Sequence, residues 1–229
     1  MPVLMQLDMP TSKEYEEWRK KGLKKNLENF DVNDDYVLKK MKRFVEFHPE
    51  FDLEQVKEEI KRNIMFRTFF VKDPIRENMY EELFKKTTKR IKDIVDFDKP
   101  DASYYLWEVK LLTKKLIKEK KVEAETKSMD FVCNYKGKKI WFYNKYAKEP
   151  GGHQDNQYDD LKRFMIGANK VKSKETIFIG VADGEYFNSL DGKTDKTRID
   201  TLRELANNET TFAIQSTELE SILNQIVSL

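Results

Sequence analysis

Two acidic residues and one lysine between Ser128 and Asp160 have the types and spacing that phosphodiester hydrolysis needs. Asp130 stands at the start of an apolar run, Lys145 stands at the end of the next run, and Asp159 follows in a helix-like segment. Carboxylates are ligands that Mg²⁺ accepts, and a nearby lysine can orient or deprotonate a water molecule and stabilise developing negative charge. These residues therefore predict a magnesium-dependent site that cuts a phosphodiester.

The segments around Asp130 and Lys145 predict the hairpin that would bring the two side chains together. Met129–Tyr135 and Lys139–Tyr146 are short, rich in β-branched and aromatic residues, and separated by a Lys-Gly turn, which is typical of an antiparallel pair. Paired strands lie about 5 Å apart, so both side chains could reach one phosphate.

The remainder of the C-terminal half predicts alternating helices and strands. The expected elements are helix Asp155–Ala168, a doubly buried strand Thr176–Val181, helix Lys196–Ala206, strand Thr211–Ile214, and a last helix capped by Thr217 and Glu220. The order β-β-α-β-α-β-α predicts an α/β (α+β) fold, with a mixed β-sheet flanked by helices.

The N-terminal half predicts helices only. The spacing of apolar residues predicts three helices: residues 12–29, a segment from Asn33 or Asp34 to His48, and a segment that begins with an Asp52/Gln55 capping box. Two further helices are predicted by the same spacing, at Ile75–Val95 and Ser103–Lys118. The break before Pro74 divides the chain into a helical subdomain, residues 1–71, and a core, residues 72–229. The lysine-rich end of the last of these helices, Lys114 to Lys121, is typical of a solvated face, with contact to DNA as the alternative.

Composition narrows the class of protein. Charged residues make up 37% of the 229 residues, yet the net charge is only +2, which argues against a nucleic-acid coat protein and allows an enzyme with one basic cleft. The single cysteine, Cys133, excludes an internal disulfide and a cysteine-rich zinc site. The sequence contains neither a signal-peptide pattern nor an apolar run of ~20 residues, so we expect a cytoplasmic protein without a membrane partner.

The order of these motifs resembles the PD-(D/E)XK nuclease superfamily, which includes most type II restriction endonucleases. Met129-Asp130 stands for the Pro-Asp of that family, and Tyr143-Asn144-Lys145 stands for its Asp/Glu-X-Lys. The segment Asn156–Phe164 is similar to the helix after the catalytic lysine in FokI-type cleavage domains. The run from Lys72 to Glu81 looks like the opening of the first core helix, which often carries a glutamate near the site, and Glu81 is the matching position.

The sequence departs from the family pattern at Tyr143, where an acidic metal ligand is expected. Some restriction enzymes carry this carboxylate on the following helix, and Asp159 is then the matching acid. The resemblance thus implies Asp130, Lys145 and Asp159 as catalytic residues with Glu81 in support, and Asp130 and Asp159 as the metal ligands. The alternative is a degenerate site that cuts poorly or not at all.

The function implied by the resemblance is hydrolysis of double-stranded DNA with Mg²⁺, as a type II restriction endonuclease acting as a homodimer. Two cuts in a palindrome need two active sites, which is why a homodimer is expected. The candidate DNA contacts are Lys148, His153, Gln154 and Gln157. The alternative function is a catalytically degenerate nuclease fold that binds DNA without cutting it.

Overall fold

The computed structural model describes residues 12–74, 76–148, 152–173 and 175–228, without the side chains of residues 12, 76–78, 152 and 153. These residues divide into two compact units, one extending to Met79 and the other from Tyr80 onward. The division lies downstream of the boundary predicted at residue 71, inside the helix that begins at Arg76.

The N-terminal unit is helical, as the spacing predicts. Its helices are α1 (Ser12–Glu28), α2 (Asp35–Phe47), α3 (Leu53–Arg62) and the short α4 (Ile64–Thr68). Asp34 caps α2 by accepting from the Tyr36 amide at 2.9 Å, and the predicted Asp52/Gln55 capping box opens α3. Apolar residues from α2, α3 and the chain after α4 form the core of this unit: Val37, Met41, Val56, Ile60 and Phe70.

The second unit alternates helices and strands. In chain order its elements are α5 (Arg76–Thr88), β1 (Ile94–Asp98), β2 (Tyr104–Trp107), β3 (Lys110–Thr113), α6 (Lys114–Lys120), β4 (Phe131–Tyr135), β5 (Lys138–Tyr146), α7 (Gly152–Asn169), β6 (Thr176–Asp183), α8 (Glu185–Asn188), α9 (Arg198–Leu205), β7 (Thr211–Ile214) and α10 (Leu219–Ser228). A turn of 3₁₀-helix, Ser216–Glu218, precedes α10. Gln215 and Glu218 form the capping box there, two residues before the predicted Thr217 and Glu220.

A mixed five-stranded sheet in the order β1-β4-β5-β6-β7 organises this unit. The predicted hairpin is confirmed: β4 and β5 are antiparallel, with Phe131 opposite Phe142. β5, β6 and β7 run parallel, with Lys145 opposite Ala182 and Tyr146 opposite Asp183. The start of β4 and the ends of β5 and β6 therefore meet at one edge of the sheet, where candidate residues can converge.

Each face of the sheet is covered by its own apolar core. One core joins Tyr143 and Trp141 of β5 to Leu161 and Phe164 of α7 and to α9. The other joins Phe131 and Phe142 to residues of α5 and α10. β6 is buried along almost its whole length, which agrees with its prediction as a strand covered on both faces. The mixed α+β fold class is confirmed.

Two of the predicted helices are wrong. The helix expected over Ile75–Val95 ends at Thr88, and β1 pairs with β4 after it. The segment expected as helix Ser103–Lys118 is instead the β2–β3 hairpin followed by α6. Glu108 makes the hairpin turn with a φ of 51°. Since this turn contains no glycine or asparagine, the sequence lacks the usual hairpin signal.

Cys133 lies in the middle of β4, opposite Ile140, and is 1% exposed. Burial raises the pKa of its thiol to about 12. Cys133 is therefore a free, buried cysteine of the sheet. Within the described residues, no helix has both the length and the apolar character needed to cross a bilayer.

Candidate active site

Asp130 lies at the edge of the sheet where β4 begins. Its backbone amide donates to the carbonyl of Phe142 at 3.0 Å, which continues the β4–β5 pairing by one residue. Its Oδ2 accepts from the backbone amide of Asn144 at 2.7 Å. Two bonds to β5 therefore fix both the backbone and the carboxylate of Asp130 beside the end of that strand.

The surroundings of Asp130 shift its pKa from 3.8 to about 6. Burial of the carboxylate is the largest cause of the rise, and the nearby negative charge of Glu81 adds to it. Lys145, the Asn144 amide and Lys99 act in the opposite direction. Asp130 thus has a second carboxylate and two ammonium groups as its charged neighbours.

Glu81 on α5 is the second carboxylate. Its Oε2 lies 2.7 Å from the Nζ of Lys99, and its side chain is 26% exposed. The ion pair joins α5 to the segment that follows β1. Because Glu81 also raises the pKa of Asp130, the two carboxylates repel each other, which is the arrangement that a shared cation relieves.

Tyr80, the residue before Glu81, holds α5 against the sheet edge. Its hydroxyl donates to Oδ2 of Asp183 at the end of β6, and its ring stacks on Tyr146 at 5.1 Å between centroids. Asp183 also accepts from the Ser216 amide at 2.9 Å. Burial raises the pKa of Asp183, and the bond from Tyr80 opposes that rise. This buried contact sets the position of α5, and so of Glu81, relative to the strand ends.

Lys145 is half-buried near the end of β5, and its Nζ lies 4.3 Å from the centroid of the Tyr143 ring. The two side chains are two residues apart and therefore share one face of the strand. The aromatic face attracts the ammonium group, and the carboxylate of Asp130 does so as well. Lys145 therefore lies on the Tyr143 face of β5 and acts electrostatically on the Asp130 carboxylate.

Tyr143 occupies the position where the family pattern has an acid, and it belongs to the core. Its ring is fully buried and stacks on Phe164 of α7 at 5.0 Å. Its hydroxyl is buried and has no hydrogen-bond partner among the described residues. Burial raises the pKa of the phenol, and the charges of Asp160 and Asp130 add to the rise. Tyr143 therefore stays neutral and cannot supply the charge of a metal-binding carboxylate.

Asp159 and Asp160 have different surroundings on α7. The Asp159 side chain is 55% exposed and lies 2.7 Å from the Nζ of Lys162. The Asp160 side chain is 15% exposed, lies 2.6 Å from the Nζ of Lys127, and acts on the Tyr143 hydroxyl together with Asp130. The predicted role of Asp159 stays a prediction. Asp160 is the acid on the sheet-facing side of the helix, which its spacing from Phe164 would have indicated.

The candidate DNA contacts differ in their access to a ligand. Lys148 is exposed just after β5, and Gln154 is half-buried on α7. Gln157 is 6% exposed, so its amide lies within the protein rather than at the surface. The side chain of His153 lies outside the described residues.

A Mg²⁺ ion at this edge would have two carboxylates as its protein ligands and would need water and phosphate oxygens to complete its coordination. Within the described ranges, no group of three or more His, Cys, Asp or Glu side chains could hold a metal. Mg²⁺ is commonly held by one or two carboxylates together with water and phosphate oxygens, so a third protein ligand is not required. Asp130 and Glu81 can supply the two carboxylates.

Lys99, Tyr80 and Asp183 are residues of this edge that the sequence reasoning missed. An acid directly after a buried parallel strand, as in Val181-Ala182-Asp183, is the signal that could have found Asp183. Lys99 and Tyr80 carry no such signal in the sequence, because they lie near the site only as a result of where the fold places β1 and α5.

Comparison of the chain with protein-family models, with curated proteins and with solved structures gives no match in any of the three. The resemblance to PD-(D/E)XK nucleases therefore depends on the residues of the motifs and on their order.

Proposed function

We propose that this chain is a magnesium-dependent endonuclease that hydrolyses phosphodiester bonds of double-stranded DNA, with a type II restriction endonuclease as its specific form. The observation that carries the proposal is that Asp130, at the start of β4, lies against the end of β5, which carries Lys145, and that Glu81 and Lys145 both act on the Asp130 carboxylate. The two carboxylates can bind a cation, and the cation and the lysine can together stabilise the negative charge of the phosphodiester and position the attacking water.

Each of the three side chains has a role in this proposal. Asp130 and Glu81 hold the cation, and the Asn144 amide keeps the Asp130 carboxylate in one orientation. A Mg²⁺ ion bound there would neutralise charge on the phosphate and lower the pKa of a water molecule. Lys145 orients the attacking water and stabilises the negative charge that develops on the phosphate.

The experiment is cleavage of a supercoiled plasmid with Mg²⁺ and, in parallel, with EDTA. We expect discrete linear fragments with Mg²⁺ and none with EDTA. Asp130→Asn and Lys145→Met should each abolish cleavage while the circular dichroism spectrum is unchanged. Asp195→Asn and Lys193→Met are matched controls, since both residues are exposed in the loop before α9, and they should cut normally.

The same assay decides between the two acids on α7. If Asp159 is the migrated ligand, Asp159→Asn should be as inactive as Asp130→Asn, and Asp160→Asn should retain activity. The opposite result would assign the role to the acid on the sheet-facing side of the helix. Normal cutting by both variants would leave Glu81 as the partner of Asp130.

The second candidate function is a nuclease-fold module that binds DNA without cutting it. The buried, neutral Tyr143 at the acidic position favours this candidate. Binding of a duplex without cleavage in Mg²⁺ or Mn²⁺ would support it.

Sedimentation velocity tests the associated proposal of a homodimer, because a chain that cuts both strands of a palindrome as a monomer would contradict it.

A further inference from the structure

The β2–β3–α6 segment carries a local excess of positive charge within a nearly neutral chain. Residues 107–121 contain six lysines and two glutamates, a net charge of +4, whereas the whole chain carries +2. The remaining residues are therefore negative in sum. A local excess of one sign of charge is the footprint expected of a surface that binds a polyanion.

Five of these lysines form what we call the lysine surface: Lys110, Lys114, Lys118, Lys120 and Lys121. All five are exposed, and none has a carboxylate within ion-pair distance among the described residues. Many lysines elsewhere have such a partner, for example Lys57 with Glu54 at 2.8 Å and Lys162 with Asp159 at 2.7 Å. The lysine surface thus carries positive charge that the fold leaves uncompensated.

The fold fixes the backbone that carries these lysines. Thr113 caps α6 by accepting from the Leu116 amide, and Lys121 ends the helix in the left-handed conformation with a φ of 52°. Lys114 and Lys118 are four residues apart, so their side chains share one face of the helix. The Nζ of Lys120 lies over the ring of Trp107, 5.9 Å from its centroid.

The segment that carries the lysine surface is anchored directly beside the candidate site. The amide of Met129 donates to the carbonyl of Tyr104 at 2.8 Å, and Met129 is the residue before Asp130. The ring of Tyr104 packs on Trp141 of β5 at 4.9 Å. β2 is therefore joined to the same strands that position Asp130 and Lys145.

We propose that the lysine surface binds backbone phosphates of duplex DNA next to the bond that is cut. This inference rests on the proposed function and adds to it the surface that holds the substrate. Lysine binds phosphate as a point charge without reading bases, so this contact supplies affinity that is independent of sequence. Each phosphate contact releases condensed counterions, which makes the affinity depend strongly on salt.

The test is binding of a fluorescein-labelled duplex of about three helical turns, measured by anisotropy in EDTA across a series of KCl concentrations. The variant Lys110→Gln/Lys114→Gln/Lys118→Gln keeps similar side-chain length and removes three charges. The control Lys20→Gln/Lys21→Gln/Lys24→Gln removes three charges from exposed positions of α1. Both variants have the same net charge, so only the location of the lost charges differs.

We expect the first variant to lower the slope of log K against log salt by about 3 and to weaken binding at low salt on the order of 100-fold. The control should bind like the unsubstituted chain. Equal effects of both variants, or no effect of the first, would overturn the proposal. It would also be overturned if the unsubstituted chain bound no duplex, or if the first variant lost binding only to phosphatidylserine vesicles.

Parallel cleavage assays with Mg²⁺ separate this inference from the proposed function. Lysine-dependent binding without cleavage by the unsubstituted chain supports the surface and contradicts the nuclease. Cleavage by the unsubstituted chain, together with normal binding by the first variant, supports the nuclease and contradicts the surface.

Discussion

Replacement of Asp130 by asparagine should stabilise the fold at neutral pH while it removes the proposed activity. The asparagine side chain has nearly the same shape, and its oxygen can still accept from the Asn144 amide, which Asp130 Oδ2 does at 2.7 Å. What the substitution removes is a carboxylate whose burial raises its pKa from 3.8 to about 6. The ionised form is therefore less stable in the folded chain than in the unfolded chain.

The magnitude follows from that rise in pKa. Each pKa unit corresponds to about 1.4 kcal/mol, so ionisation of Asp130 costs the folded state up to about 3 kcal/mol. The stabilising contribution of the protonated carboxyl is complete below the unfolded pKa, which lies near 3.8, and is lost as the pH rises through about 6. The introduced asparagine does not titrate, so the stability difference between the two proteins should grow from near zero in mild acid to its full value above neutral pH.

Calorimetric unfolding from about pH 4 to about pH 8 measures this difference. At ~2–4 °C per kcal/mol, the Asp130→Asn variant should melt roughly 6–12 °C above the unsubstituted chain at the alkaline end. Titrating groups that do not interact with Asp130 are present in both proteins and cancel in the comparison. Asp159→Asn is the matched control, because the Asp159 side chain is 55% exposed and its replacement should change the free energy of unfolding by no more than about 0.5 kcal/mol.

Mg²⁺ should reverse part of the difference, because it binds the ionised carboxylate of the folded state. Addition of millimolar Mg²⁺ at the alkaline end should raise the melting temperature of the unsubstituted chain and leave that of the variant unchanged, and EDTA should remove the effect. A stability difference that is flat across the pH range, or a variant that is less stable than the unsubstituted chain above neutral pH, would refute the reasoning about the buried charge.

Three further substitutions test the local physical arguments. Tyr80→Phe removes the hydroxyl that donates to buried Asp183, and it should lower the free energy of unfolding by about 2–3 kcal/mol, more in mild alkali than in mild acid. Urea denaturation at both pH values measures this loss, and an unchanged free energy of unfolding in alkali would contradict the prediction. Gly184→Ala places a Cβ against the backbone oxygen of Ala147 at a φ of 103°, whereas the Cβ of Gly192→Ala, at a φ of 77°, meets nothing within 4 Å. Gly184→Ala should therefore lower the melting temperature more than Gly192→Ala does, and equal losses would show that backbone strain alone matters. Tyr143→Phe removes a buried hydroxyl without a partner among the described residues and should leave stability unchanged or higher by about 1 kcal/mol, and a clear loss in thermal unfolding would mean that the hydroxyl is bonded.

The sequence predicted the hairpin and its flanking elements because their signals are local. The aromatic and β-branched runs around Lys136-Gly137 leave few alternatives to β4 and β5, and the apolar run from Thr176 specifies a buried strand. These segments place Asp130 and Lys145, so that part of the candidate site could be predicted as well.

The errors arose where tertiary contacts override local spacing. Leu106, Val109, Leu112 and Leu116 recur at helical intervals, yet they lie on a hairpin and on α6. β1 contains Asp96 at a φ of 57° and a shift in its register with β4, so its irregular pattern resembles the end of a helix. The neighbours Lys99 and Glu81 could not be paired in advance, because that pairing depends on β1.

Cys133 is a native cysteine whose alkylation can report how often the sheet opens around β4. Only the thiolate reacts with alkylating reagents, and a thiol with a pKa of about 12 at 1% exposure offers almost none of it to solvent. Alkylation will therefore proceed only through molecules in which β4 has separated from its neighbours. Because the chain has one cysteine, the rate of modification counts a single opening event, and a maleimide time course can rank every variant by the frequency of that event.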